Sequence, residues 1–140
     1  MILSLITVSY NTKDLTLQTL ETAIKEINSS KILKDQTEIF VVDNDSKDGS
    51  PQACEALLKK LKFPHYKVFA NHENLGFARA NNQATEVAKG KYIILLNSDT
   101  ITHKGGLSLL VEAMEKGGIS EETANLASSG KLDKLGIIAP

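Results

Sequence analysis

The chain has 140 residues, enough for one domain with a core of ordinary size. Its 16 basic and 17 acidic residues nearly cancel, to a net charge of -1, so there is no broad positive field for nucleic acid or an anionic membrane. Phosphates must then be held by a few placed groups or by a metal. The lone cysteine, Cys54, excludes an internal disulfide and reads as a small buried hydrophobe in a reducing compartment. No apolar run reaches the roughly 18 residues of a membrane span.

Residues 2–8 are almost continuously apolar, as expected of a strand covered on both faces. They lack the basic start and small-residue cleavage site of a signal peptide. This run ends in Ser9-Tyr10-Asn11-Thr12. Leu17, Leu20, Ile24 and Ile27 then recur at helical spacing, which predicts a helix over 13–28. A second strand is expected over 38–42, ending in Asp43-Asn44-Asp45-Ser46. Ser50 before Pro51 predicts a cap followed by a first-turn proline. Cys54, Leu57, Leu58 and Leu61 supply the buried stripe of the helix that follows.

Residues 66–70 form a third, shorter strand that runs into Asn71-His72-Glu73-Asn74. Gly76 opens a helix whose buried side reads as Phe77, Ala80, Ala84 and Val87, with its end near Gly90. The fourth strand, 91–96, leads to Asn97-Ser98-Asp99-Thr100. Leu107, Leu110, Val111 and Met114 line a fourth helix. Residues 117–135 read as a loop with room for a short helical turn, and 136–140 as a strand just begun. A domain seldom stops inside a buried strand, so the expectation is a fragment truncated at its carboxyl end.

Strand and helix patterns alternate throughout, which predicts a single α/β domain: a Rossmann-like, mainly parallel sheet with helices on both faces. In such a sheet the four polar turns gather on the edge outside the carboxyl ends of the strands, where ligands bind.

Asp43, the first residue off its strand, is not needed for packing and tilts toward a ligand. For Asp45, Ser46 and Asp48, turn and ligand roles stay even. An EF-hand fails, because Asp48 and Gly49 come one position late and Cys54 stands at the closing glutamate position. Asn97 and Asp99, one residue apart at a strand end, can face one crevice, and a carboxylate there suits Mg²⁺ or Mn²⁺. Helix capping is the plainer alternative for Ser98, Asp99 and Thr100. The segment 73–83 is harder to explain by structure alone. Gly76 permits a tight turn into a helix N-terminus, Arg79 opposes the helix dipole, and Asn81 and Asn82 are mediocre helix formers.

Other chemistries lack their residues. No G-x-G-x-x-G follows the first strand and no Walker lysine loop is present. A haloacid-dehalogenase-like site would want an aspartate at the first strand's end, which Ser9-Tyr10-Asn11 does not offer. His65, His72 and His103 share no metal-ligand spacing and read as surface residues.

Taken together, these motifs resemble the amino-terminal, nucleotide-binding half of a family 2 glycosyltransferase of the GT-A fold, over almost the whole chain. The resemblance rests on Val8-Ser9-Tyr10-Asn11, on Val41-Val42-Asp43-Asn44-Asp45-Ser46 with Asp48-Gly49-Ser50, on residues 74–82, and on Leu95-Leu96-Asn97-Ser98-Asp99-Thr100. The asparagine–glycine segment is most similar to the rhamnosyltransferase-like branch of cell-surface polysaccharide synthesis.

The resemblance implies that Thr7, Val8, Ser9 and Tyr10 line the nucleotide pocket, that Asp43 bonds the base and that Arg79 lies beside the nucleotide. Asn44, Asn74, Gly76, Asn81 and Ser98 belong to the same implied donor site. Asp99 matches the metal-holding second acid of the family's Asp-x-Asp motif. Asn97 stands where many members carry the first acid, and it can still bond a ribose hydroxyl. The implied activity is inverting transfer of a sugar from a nucleotide diphosphate-sugar to a polysaccharide, glycolipid or other hydroxyl acceptor. A divalent cation assists the departing diphosphate. The general base is expected beyond Pro140.

The implied setting is cytoplasmic or at the inner face of the membrane, with peripheral membrane association left open and no nucleic-acid partner. Two alternatives remain. One is a non-catalytic nucleotide-sugar-binding or scaffolding domain. The other is a nucleotidyltransferase, which would want a glycine-rich basic loop where residues 9–15 supply only Lys13.

Overall fold

A computed structural model describes residues 1–116 and the backbone of residues 135–138. In chain order the elements are β1 (Leu3–Ser9), α1 (Lys13–Ser29), β2 (Thr37–Asp43), α2 (Ser50–Lys60), β3 (Tyr66–Ala70), α3 (Gly76–Thr85), β4 (Tyr92–Leu96), α4 (Gly106–Glu115) and β5 (Leu135–Ile138). The sheet order is β3-β2-β1-β4-β5. β1 pairs in parallel with β2 and β4, and β2 in parallel with β3. The strand expected over 136–140 is β5, which runs antiparallel along β4. The loop expected over 117–135 lies, up to residue 134, outside the described residues.

This order explains which face each helix takes. The crossovers β1–α1–β2 and β2–α2–β3 step one way across the sheet, whereas β3–α3–β4 steps back past β1. Crossover connections are right-handed, so reversing the step moves the helix to the other face. The apolar residues divide accordingly, by the period-two alternation of strands. Leu3, Leu5, Ile39, Val41, Ile94 and Leu96 meet Leu20, Ile24 and Ile27 of α1, Leu58 of α2 and Leu107 and Val111 of α4. Ile6, Phe40 and Val42, on the opposite face, pack against the small residues Ala80 and Ala84 of α3. The reversal leaves a switch point between β1 and β4, and their carboxyl ends frame a crevice there.

Three expectations need correction. Phe77 and Val87 are 57% and 42% exposed, and the buried residues of α3 are Ala80, Asn81 and Ala84. Small side chains bring this helix close to the sheet, and its last regular residue is Thr85, not one near Gly90. Leu61 follows α2 and is exposed, because the helix ends at Lys60. Ser50 is the first residue of α2 and not its cap; its amide and hydroxyl both donate to Asp48 Oδ1. Pro51 does occupy the first turn.

At the opposite, amino-terminal edge of the sheet, the carboxylate of Glu38 is buried beside Ser4. Glu38 Oε1 accepts from Ser4 Oγ at 2.6 Å and from the amides of Lys89 and Gly90. Gly90 N–H also donates to Ser4 Oγ at 2.8 Å. The chain approaches β1 so closely that a Cβ on Gly90 would lie 2.4 Å from the Ser4 nitrogen. Backbone cannot yield as a flexible side chain does. Gly90→Ala is therefore expected to destabilise the fold by about 1–3 kcal/mol or more, the usual cost of overpacking, read as a lower urea midpoint at unchanged slope.

Candidate functional site

All four polar turns lie on the carboxyl edge of the sheet, as the parallel pairing requires. The turns after β1 and β2 are clasped to each other. Asn11 N–H donates to Ser46 Oγ at 2.8 Å, Lys47 N–H donates to Asn11 Oδ1 at 2.7 Å, and Lys13 N–H donates to Asp48 Oδ2 at 2.8 Å. Asn11 and Asp45 take left-handed backbone (φ 52 and 68), which Asn and Asp adopt more readily than other side chains.

The roles left even between turn and ligand now separate. Asp48 binds amides at the start of both α1 and α2, so it satisfies two helix ends at once. Its carboxyl is held below the ordinary aspartate range chiefly by the Ser50 hydroxyl; burial opposes this, and the amides of Lys13 and Ser50 add to the lowering. Ser46 uses its hydroxyl on Asn11 and its amide on Asp43. Asp45 pairs with Lys47 at the surface, a contact of small energetic weight.

Asp43 differs from these. It is the last residue of β2 and only 1% exposed; Oδ2 accepts from the Ser46 amide at 2.9 Å, while Oδ1 is buried with no hydrogen-bond partner. A buried carboxylate oxygen left unsatisfied is costly, and a donor brought by a ligand relieves it. On the neighbouring strand, Thr7 and Ser9 are buried toward α1, Val8 is half-buried on the α3 side, and Tyr10 is 51% exposed. Of these four, Val8 and Tyr10 are the accessible ones.

A stripe of hydroxyls from Thr12, the cap of α1, through Thr16 to Thr19 binds the end of β1 and the turn after β4. Thr16 Oγ1 donates to Ser9 Oγ at 3.1 Å, Thr12 Oγ1 donates to Ser98 Oγ at 3.2 Å, and Thr19 Oγ1 donates to the Ser98 carbonyl at 2.9 Å. With Ser98 anchored, Asn97 and Asp99 on either side of it are exposed. Among the described residues no group of three or more His, Cys, Asp or Glu could hold a metal. One exposed carboxylate beside an amide oxygen nonetheless fits a hard cation that takes its remaining oxygens from phosphates and water.

The third rim is the start of α3. Asn74 Oδ1 accepts from Gly76 N–H at 2.9 Å. Gly76 has φ 78, and nothing lies within 4 Å of where a Cβ would stand, so the requirement for glycine is conformational and not steric. Arg79 is exposed, while Asn81 is buried and donates from Nδ2 to the Phe77 carbonyl. That bond commits the Asn81 amide to its own helix. Asn44 Nδ2 donates to the Gly76 carbonyl at 3.3 Å, which joins the turn after β2 to this rim. His65, His72 and His103 are exposed, as expected, and Cys54 is buried, its thiol pushed up to about 12 chiefly by desolvation.

Sequence reading gave Asn11, Thr12 and Asn71 only a place in the polar turns and Gln83 only a place in the segment 73–83, and it missed Thr16 and Thr19. The threonines carry a signal: residues 12, 16 and 19 recur at helical spacing on a line where apolar residues would be expected.

A family model described as "Glycosyl transferase family 2" matches residues 4–124. The chain belongs to glycosyl transferase family 2. It is 31% identical over 113 residues to the putative teichuronic acid biosynthesis glycosyltransferase TuaG of Bacillus subtilis, covering 81% of this chain and 42% of that protein. Among solved structures it is similar to S. aureus TarS 1-349 in complex with UDP, at 26% identity and a TM-score of 0.70, covering 83% of this chain and 32% of that one. A mannosyltransferase from Pyrobaculum calidifontis, in complex with GDP-Man and Mn2+, shares the fold at a TM-score of 0.68 and 24% identity, with 81% and 31% covered. The chain thus spans well under half the length of these relatives. The α/β fold predicted for this family is the one observed, with four parallel strands and an antiparallel fifth at the edge.

Removing the Asp48 carboxylate leaves amides of two helices without an acceptor. Asp48→Ala is expected to cost about 1–2 kcal/mol, the usual loss of a helix cap. Because the folded-state pKa is lowered, the stabilisation is complete above the ordinary value of 3.8 and is lost as pH falls through the lower folded value. Urea midpoints of wild type and Asp48→Ala should therefore differ at neutral pH and converge on acidification.

Proposed function

We propose that these residues form the donor-binding part of a glycosyltransferase that holds a nucleotide diphosphate-sugar together with Mg²⁺ or Mn²⁺. The observation that carries this reading is the unpartnered, buried Oδ1 of Asp43 on the edge that also bears Asp99, in a chain of this family. An acceptor oxygen in that place suits an N–H on the edge of a base. The structural relatives crystallised with UDP and with GDP-Man and Mn2+ support the ligand class and the metal.

The charges on the rim explain why a cation would be needed. Lys47 is paired with Asp45, and Asp48 is committed to backbone amides. Asp43 and Asp99 are anions near which a diphosphate must sit, with Arg79 and the helix N-terminus at Gly76 on the favourable side. A divalent ion held by Asp99, with Asn97 beside it, would offset the phosphate charge and, when bound, stabilise the departing nucleoside diphosphate. Asn97 would take a ribose hydroxyl, and Val8, Tyr10 and Asn74 would border the nucleotide.

In this reading transfer is direct and inverting, with the acceptor a polysaccharide, a glycolipid or another hydroxyl compound. The base that accepts the hydroxyl's proton is assigned to none of the residues above. Membrane attachment would be peripheral, at the cytoplasmic face; no described helix is long and apolar enough to cross a membrane.

Calorimetry with UDP and GDP, each with and without Mn²⁺, tests the reading. At least one is expected to bind more tightly with the metal. Asp43→Ala should weaken binding about 10- to 100-fold, as for a lost hydrogen bond to a charged group. Asp99→Ala should remove the metal dependence and leave the metal-free affinity in place. Absence of binding by either nucleotide, or full metal dependence in Asp99→Ala, would overturn it.

A further inference from the structure

Three amides run in series behind the proposed donor site. Gln83 Nε2 donates to Asn71 Oδ1 at 3.1 Å, Asn71 Nδ2 donates to Asn44 Oδ1 at 3.2 Å, and Asn44 Nδ2 donates to the Gly76 carbonyl at 3.3 Å. The last group is a carbonyl and can only accept. It therefore orients Asn44, Asn44 orients Asn71, and Asn71 orients Gln83, so the whole series has one polarity.

The series starts and ends on the same helix, since Gly76 and Gln83 both belong to α3. Its middle members stand on backbone that is itself fixed: Asn44 N–H donates to the Ser9 carbonyl at 2.8 Å, and Asn71 N–H to the Asp43 carbonyl at 2.9 Å. Apart from this series, α3 meets the sheet through Ala80 and Ala84, whose short side chains interdigitate little and resist sliding weakly. The amides thus tie α3 to the turns after β2 and β3 at the carboxyl edge of the sheet.

We propose that Asn71 and Gln83 are positioning residues for the donor nucleotide. They touch no ligand; through Asn44 they hold Gly76 and Arg79 at a fixed distance from Asp43. This inference rests on the donor-site reading above.

Asn71→Asp keeps the shape of the side chain but sets an acceptor against the Asn44 oxygen. Gln83→Glu removes the first donor in the same conservative way. Two readouts are compared with wild type at a temperature where circular dichroism shows every variant folded. Hydrogen exchange of the Ala80–Ala84 amides should be at least fivefold faster in Asn71→Asp, and the Kd for UDP or GDP with Mn²⁺ should rise at least fivefold. Gln83→Glu should move both in the same direction by less, while Asn82→Ser, a change of similar helix propensity at an exposed neighbour, should move neither. A lowered melting temperature with unchanged Kd would mean a merely structural role and overturn the proposal, as would unchanged exchange. If wild type binds neither nucleotide, the donor-site reading itself fails, and a faster exchange in Asn71→Asp would then show a series that holds α3 without serving a ligand.

Discussion

The parallel pairing of β1 with β2 on one side and β4 on the other is the constraint on which the site depends. Parallel strands in one sheet point their carboxyl ends the same way, so residues far apart in sequence come to one edge. Asp43 and Asp99 are far apart along the chain, yet both stand at the carboxyl ends of strands that flank β1. An antiparallel arrangement of β4 would have sent Asp99 to the opposite edge, where Ser4 and Glu38 lie. The antiparallel strand, β5, lies outside β4 and leaves this alignment intact.

Polar side chains on this edge serve two purposes. Most hold loops to loops: Asp48 binds amides of two helices, Asn11 and Ser46 join the turns after β1 and β2, and hydroxyls of Thr12 and Thr19 anchor Ser98. These are satisfied locally, and their contribution is rigidity. Asp43 Oδ1 is buried and unsatisfied in the same crowded region. The buried hydroxyls of Thr7 and Thr100 are unpartnered as well, and Asp43 is the carboxylate of this group.

The strands, the four helices and the α/β class were legible because burial on both faces leaves apolar runs and burial on one face leaves a helical stripe. Reading failed where that logic weakened. Phe77 and Val87 continue an apolar spacing through α3 and beyond it, but α3 lies on the sheet through Ala80 and Ala84, which leaves Phe77 and Val87 exposed and buries Asn81. Ser50 reads in the sequence as the cap of α2, and Asp48 as a turn or ligand residue. Which one caps depends on whether the chain enters the helix through Gly49 in left-handed conformation, and composition does not reveal that.

From its order of residues alone the chain specifies alternating strands and helices, the carboxyl-edge placement of its polar turns, and the family to which it belongs. Those properties follow from local periodicity and from motifs that keep their identity at any register. Tertiary structure alone decided which polar groups are consumed by the scaffold and which buried ones are left unpartnered. Asn11 meets Ser46 across 35 residues and Thr12 meets Ser98 across 86, and such partnerships arise only when the sheet brings separate turns within hydrogen-bonding distance.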